Sequence, residues 1–293
     1  MVTEGELLWR ASPERVAKAQ MTKFLNFLDA RGQHFDGYSE LWQYSIDDLP
    51  GFWSAAWDYF DVIAEGEMDK VLTDDPMPRT RWFTGTRLNY AENVLRHEAA
   101  GDPNRAMLHH TSELRPMASM SWAEVGGAVR KLATRLRAMG IGPGDRIVAY
   151  MPNIPETVIA MLATTAIGAI WSSAAPEFGP QTVIDRFSQI EPKLVFAVNG
   201  YRYGGKDYDR ASDLQKILDA LPSAEHLVML DYLPDVTSAP RFTGAQHDWA
   251  QMLTGPDVPA DRFDYTRVPS DHPLWILFSS GTTCLLYTSP SPR

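Results

Sequence analysis

Cysteine is almost absent: Cys284 is the only one in 293 residues. A single thiol excludes a disulfide framework within the chain and any Cys-based metal site. Long apolar runs are absent too. The longest, over 158–171, is interrupted by Thr and Gly and is too short to span a bilayer. The first ten residues carry no apolar core of signal-peptide length. Cations are in deficit, with 27 Lys and Arg against 37 Asp and Glu, a net charge of −10. General nucleic-acid binding needs a basic face, so this balance argues against it. A few local Arg or Lys residues still suffice for an anionic small molecule. His109 and His110 are adjacent and have no ligand partners at metal spacing. The expectation is a cytoplasmic protein with no nucleic-acid partner, no membrane partner and no metal site of its own.

What is present is the texture of a globular protein, 44% hydrophobic and 22% charged. The first hundred residues read as helical and rich in aromatics. Ser12-Pro13 is a cap followed by proline at the first helical position. Val16, Phe24, Phe27 and Leu28 then share a face, and Gly32 fits the stop. A second helix is predicted to carry Phe52, Trp53, Ala56, Trp57, Phe60 and Ile63 as a core stripe.

From about residue 105 the pattern changes. Ser121-Trp122-Ala123-Glu124 is a capping box. Val125, Val129, Leu132, Leu136 and Met139 follow on one face, and Gly140 closes the helix. Strands are predicted over 147–151, 169–172, 194–198 and 227–230. Helices are predicted from Asn153 to about 167, over 181–189 and over 213–220. Glu156 reads as a capping residue at the start of the first of these, and Asp185 and Arg186 as a surface pair. Strands alternating with helices imply an α/β fold, a doubly wound and mostly parallel sheet with helices on both faces. Residues 231–270, rich in Pro, Asp and Thr, read as loops with one short helix near Trp249. The glycines of 140–144 follow a helix and precede a strand, the reverse of a dinucleotide fingerprint.

An apolar run over 273–278 reads as a buried strand leading directly into Ser279, Ser280, Gly281, Thr282 and Thr283. Four hydroxyls and a glycine at a strand end suit oxyanion binding: the hydroxyls donate, and Gly281 allows close backbone approach. No Gly-Lys-Ser/Thr follows, so this is not a Walker loop. By itself the segment reads first as a Ser/Thr-rich turn. Arg202 and Lys206 flank a Gly-Gly turn just after a predicted strand, either as an anion site at the strand's carboxyl end or as a solvated basic turn.

Several segments carry a resemblance. Phe278-Ser279-Ser280-Gly281-Thr282-Thr283 resembles the first half of the phosphate loop of the adenylate-forming enzymes, which usually continues Gly-x-Pro-Lys. Tyr150-Met151-Pro152-Asn153-Ile154-Pro155-Glu156 and Gly168-Ala169-Ile170-Trp171-Ser172-Ser173 resemble the first two core strands of the acetyl-CoA synthetase-like ligases. Arg81-Trp82-Phe83 and Leu88-Asn89-Tyr90-Ala91-Glu92-Asn93 resemble their N-terminal extension. Pro176-Glu177-Phe178-Gly179 and Gly200-Tyr201-Arg202-Tyr203-Gly204-Gly205-Lys206-Asp207 look more like acetoacetate–CoA ligases than acetate ones.

This resemblance implies an ATP-dependent, AMP-forming acid–thiol ligase of lipid and ketone-body metabolism. Its substrates would be ATP with Mg2+, acetoacetate and CoA, with another short acid such as acetate or propionate as the alternative. A fragment without catalysis is the other alternative. Ser279, Ser280, Gly281, Thr282 and Thr283 would bind the ATP phosphates. Arg202 would bind a CoA phosphate, and Lys206 matches the second such cation with Lys for Arg and one extra residue between. The implied organisation is an N-terminal extension over 1–99 and the first part of an adenylation domain over 100–283. Residues 284–293, with Cys284, Leu286 and Tyr287 where the family has Gly, Pro and Lys, read as a non-native tail. The loop Lys and the C-terminal catalytic Lys are then absent, and the expectation is that this chain alone is inactive.

Overall fold

The computed structural model describes residues 3–236 and 238–278. The chain divides into two compact units, Met1–Thr86 and Arg87–Arg293.

In the first unit, Ser12 accepts a hydrogen bond from the Arg15 N–H at 3.2 Å and starts α1 (Pro13–Lys18). The single helix expected there is two: Ala19 turns to extended backbone, and α2 (Gln20–Asp29) restarts after it. The break removes Val16 from the shared face and leaves it exposed, while Phe24 and Leu28 are buried. Next come α3 (Tyr38–Asp47), α4 (Leu49–Tyr59) and the short strands β1 (Ala64–Glu65), β2 (Lys70–Leu72) and β3 (Trp82–Thr84). Helix α3 escapes a pattern search because only Leu41 on it is buried, while its Trp42 and Ile46 face water. The core is Phe24, Leu28, Leu41 and Ala55, lined by Phe27, Phe35, Tyr44, Phe52 and Tyr59. Its rings meet edge to face, as at Phe24 and Tyr59, 5.0 Å between centroids. The predicted aromatic stripe is therefore only partly core: α4 buries Ala55 and Ala56, whereas Trp53 is exposed and Phe60 lies exposed beyond the helix end.

The second unit begins with β4 (Arg87–Leu88) and α5 (Tyr90–Leu95), then the antiparallel pair β5 (Ala106–His110) and β6 (Ala118–Ser121). The Ser121–Glu124 capping box forms in full and starts α6 (Trp122–Ala138). The central elements follow in alternation: β7 (Arg146–Tyr150), α7 (Pro155–Ala166), β8 (Ile170–Ala174), α8 (Pro180–Phe187) and β9 (Leu194–Val198). A hairpin, β10 (Gly200–Tyr203) and β11 (Lys206–Asp209), interrupts the alternation before α9 (Ala211–Asp219) and β12 (His226–Leu230). β13 (Ala245–Asp248), α10 (Trp249–Met252) and β14 (Val268–Pro269) complete the unit.

The central sheet has the order β13-β12-β9-β7-β8, with all four pairings parallel. Strand alternation sorts its side chains onto two faces. Ile147, Ala149, Leu194, Phe196 and Val228 pack with α6 and α7. Val148, Tyr150, Val195, Ala197 and Leu227 pack with α8 and α9. Numbered within the sheet, the order is 2-1-3-4-5, so the winding reverses between β7 and β9. Open α/β sheets bind ligands outside the strand carboxyl ends at that reversal.

Two long-range ties close the unit. The buried amide of Asn89 donates to the carbonyls of Thr165 at 2.8 Å, Ala166 at 3.2 Å and Thr266 at 2.8 Å, while its oxygen accepts the Glu92 N–H at 3.1 Å. Beyond β14, the run over 273–278 is not the buried strand expected. It meets the sheet at one parallel bridge, Trp275 beside Trp171, and at Ser172, whose hydroxyl donates to the Ile276 carbonyl at 2.9 Å. The Trp171 N–H donates to the Leu274 carbonyl at 3.1 Å, and the Ile276 N–H donates to the Trp171 carbonyl at 2.9 Å. Lying at the sheet edge, Leu274, Trp275 and Leu277 are exposed.

Candidate functional site

Three groups of side chains gather past the carboxyl ends of the central strands. The first is the hairpin that leaves β9. Gly204 and Gly205, with φ of +59° and +72°, form its two-residue turn; left-handed backbone at both positions is what a tight hairpin requires and what glycine adopts without a Cβ penalty. The Gly-Gly segment seen in sequence is thus the tip of a hairpin whose register sets Arg202 opposite Asp207 and Tyr203 opposite Lys206. Arg202 grips Asp207 with Nε at 2.5 Å and Nη2 at 3.0 Å, and this partner holds the Asp207 carboxyl below the usual carboxylate range. Lys206 is exposed.

The tip is also bound from elsewhere. The Gly204 N–H donates to one carboxylate oxygen of Glu113 and the Gly205 N–H to the other, each at 2.7 Å. At the hairpin base the Tyr201 and Tyr208 rings stack at 5.1 Å. Arg210 lies 5.0 Å from the Tyr201 ring centre and 5.8 Å from that of Tyr208. It donates to the Tyr201 hydroxyl and to Asp213, both at 2.7 Å. No sequence pattern singles out Glu113 or Arg210. Glu113 is 91 residues from its partner and carries no local signal. Arg210 sits next to a helix start and reads there as an ordinary helix-end cation.

The second group follows β8. Tyr150, fully buried at the end of β7, places its hydroxyl 2.9 Å from the Pro176 carbonyl and 2.8 Å from the Phe178 carbonyl. Burial pushes its pKa up to about 12, so the phenol stays a donor at neutral pH. Phe178, held in this way, presents its ring to Arg186, whose guanidinium lies 4.7 Å from that ring centre and 5.7 Å from the ring of Phe278. Arg186 is therefore not half of a surface pair with Asp185. It is buried, Asp185 accepts instead from Gln181 at 2.7 Å, and the Arg186 Nε has no hydrogen-bond partner. Glu156 also departs from its expected role. The start of α7 has no side-chain cap, and Glu156 pairs with Arg115, Nη1 at 2.8 and 3.0 Å from its two oxygens. The guanidinium of Arg115 lies over the Tyr232 ring at 4.7 Å.

The third group is a polar cleft of about 430 Å3 past β9, β12 and β13, lined by Asn199, Asp231, Gln246, His247 and Asp248 among others. Asn199 is engaged at both ends of its amide: it donates to the Leu233 carbonyl and accepts the N–H groups of Tyr232 and Leu233, each at 2.9 Å. Away from the cleft, at the amino end of β12, His226 stands 5.6 Å from His247 between ring centres, with Nδ1 of the first and Nε2 of the second buried without partners. Burial, then the nearby His226 and Arg135, push the His247 pKa below its ordinary value. Among the described residues no group of three or more His, Cys, Asp or Glu is placed to hold a metal ion. Nor is any helix there long and apolar enough to cross a membrane. Ser279, Ser280, Gly281, Thr282 and Thr283, and the tail over 284–293, lie outside the described residues.

The geometry is that of an α/β sheet whose winding reverses beside the Gly204–Gly205 hairpin. The family model described as acetyl-coenzyme A synthetase N-terminus matches residues 38–94. The chain is 38% identical to the acetoacetyl-coenzyme A synthetase of Rhizobium meliloti (strain 1021) over 288 residues, covering 96% of this chain and 43% of that protein. It is 33% identical to the acetoacetyl-CoA synthetase of Xenopus tropicalis over 305 residues, 98% of this chain and 44% of that one. The solved acetoacetyl-CoA synthetase from Streptomyces lividans superposes with a TM-score of 0.86 at 40% identity, over 94% of this chain and 42% of that chain. The chain thus spans less than half the length of the relatives it matches. The family model described as AMP-binding enzyme matches residues 95–285, and with the parallel sheet in place the chain belongs to that family.

Proposed function

We propose that this chain is the N-terminal part of an acetoacetate–CoA ligase. ATP and acetoacetate would form an acyl-adenylate and diphosphate, and the CoA thiol would then displace AMP to give acetoacetyl-CoA. The observation that carries the reading is the likeness to the Streptomyces lividans enzyme over nearly the whole chain. Mg2+ enters with ATP, offsetting its phosphate charge. The protein works in the cytoplasm, with an N-terminal extension over 1–99 and the first part of the adenylation domain over 100–283. Ser279, Ser280, Thr282 and Thr283 would donate hydroxyl hydrogen bonds to the phosphates, and Gly281 would let the backbone approach. Donors aimed where charge develops on the leaving diphosphate lower the barrier to adenylation. Turnover of acetate much faster than acetoacetate by the full-length protein would defeat the reading.

Arg202 and Lys206 would hold phosphates of CoA at the carboxyl end of β9. A charge-assisted hydrogen bond is worth about 1.5–3 kcal/mol, so removing either charge should raise the KM for CoA roughly tenfold to a hundredfold. ATP–diphosphate exchange needs no CoA and serves as the reference. Equal damage to both half-reactions would mean that the pair serves folding.

A further inference from the structure

The hairpin tip already holds an anion. Its two N–H groups, on consecutive glycines, each bind one oxygen of Glu113 at 2.7 Å, and Arg202 beside them is committed to Asp207. A carboxylate spanning two neighbouring donors has the shape and charge of two oxygens of a phosphate group. The two cations of the hairpin, Arg202 and Lys206, are balanced by two carboxylates, Asp207 and Glu113, so the tip carries no net charge while both stay in place. We propose that Glu113 is a built-in competitor for the phosphate: it occupies the Gly204 and Gly205 N–H pair in the free protein and must leave when CoA binds. The inference rests on the reading of Arg202 and Lys206 as the CoA phosphate site.

The arrangement has a clear energetic sign. Glu113 is exposed, so swinging it into water costs little, and a phosphate dianion outbids a monoanion for the same donors. The carboxylate keeps the tip satisfied when no CoA is present, and it selects against weakly charged ligands that cannot displace it. It therefore sets the affinity for CoA without touching the adenylation chemistry.

The test is made in the full-length protein by measuring the KM for CoA and for 3′-dephospho-CoA. Glu113→Gln should lower the KM for CoA about two- to fivefold, the span of an exposed charge interaction. Glu113→Asp, one methylene too short to reach both N–H groups, should lower it as well. If the gain vanishes with 3′-dephospho-CoA, the 3′-phosphate takes the pair; if it persists, the 5′-diphosphate does. An unchanged or raised KM in Glu113→Gln, where Arg202→Gln raises it, overturns the role of Glu113 and leaves the CoA site standing. If Arg202→Gln and Lys206→Gln also leave the KM unmoved, the CoA site itself falls.

Discussion

Arg130 and Glu98 form a two-pronged ion pair beneath α6, with Nη1 2.7 Å from one carboxylate oxygen and Nη2 3.2 Å from the other. Arg130 is buried, and its Nε and Nη2 also bind Asp257 at 3.1 and 3.0 Å. Burial opposes its charge, but the hydrogen bonds to Asp257 and Glu98 prevail and hold its pKa above the ordinary arginine value. Removing one member of such a group strands the others. Arg130→Ala should therefore destabilise the protein by about 3–5 kcal/mol, read by urea unfolding.

The same pair explains a glycine in mid-helix. A Cβ on Gly126 would stand 2.2 Å from Glu98 Oε2, an oxygen that Arg130 holds in place. Alanine in a helix interior is normally worth about 1 kcal/mol over glycine. Here Gly126→Ala should lower the melting temperature instead, and in an Arg130→Met background, where Glu98 is released, the loss should shrink.

Acidification should loosen the sheet edge at His247. Its folded pKa lies below 6.5, so between the two values the unfolded chain binds more protons than the folded one. Stability is then full above about pH 6.5 and declines as pH falls from there. His247→Gln should flatten that part of the curve, seen as a smaller drop in melting temperature between pH 7.5 and pH 5.5 (roughly one unit either side of the histidine value).

Arg186 gives a prediction in which two effects oppose. Its stacking on Phe178 and Phe278 is worth about 0.5–2 kcal/mol per contact. Its unpartnered buried Nε costs about 1–3 kcal/mol. Arg186→Met keeps the volume and removes both, so the two effects offset and stability should change less than in Arg186→Ala. Arg186→Ala removes the packing as well and should cost about 2–4 kcal/mol, in the range for truncated core side chains.

The 293-residue chain by itself is expected to form no acyl-adenylate from ATP, Mg2+ and acetoacetate. It spans 43% of the length of its Rhizobium relative. Turnover near that of the full-length protein would sink this expectation.

The sheet was legible because its strands are short, apolar and separated by helices with sharp ends. Leu194–Val198 was predicted to the residue, and the Ser121–Glu124 box formed as its four residues require. Illegible parts were those decided by distant partners. Glu156 looked like a cap and pairs with Arg115 across 41 residues. Arg186 looked like a surface residue because a buried guanidinium held by two rings has no helical spacing to betray it. β13 was missed because its four residues, Ala245–Asp248, are too polar for an apolar run and pair only with one edge of the sheet. The candidate site was half visible: Arg202, Lys206 and the glycines could be read directly, whereas Glu113 could not.

The Asn89 amide bears on the order in which the protein can be made. Its carbonyl partners at Thr165 and Ala166 leave the ribosome long before Thr266, which lies 177 residues downstream. At a synthesis rate of about 5–20 residues per second, the amide waits roughly ten to thirty-five seconds for its last acceptor. Until then the segment carrying α5 can dock but not lock. A nascent chain stalled before Thr266 should leave that segment open to protease, and one stalled with Thr266 well clear of the exit tunnel should not.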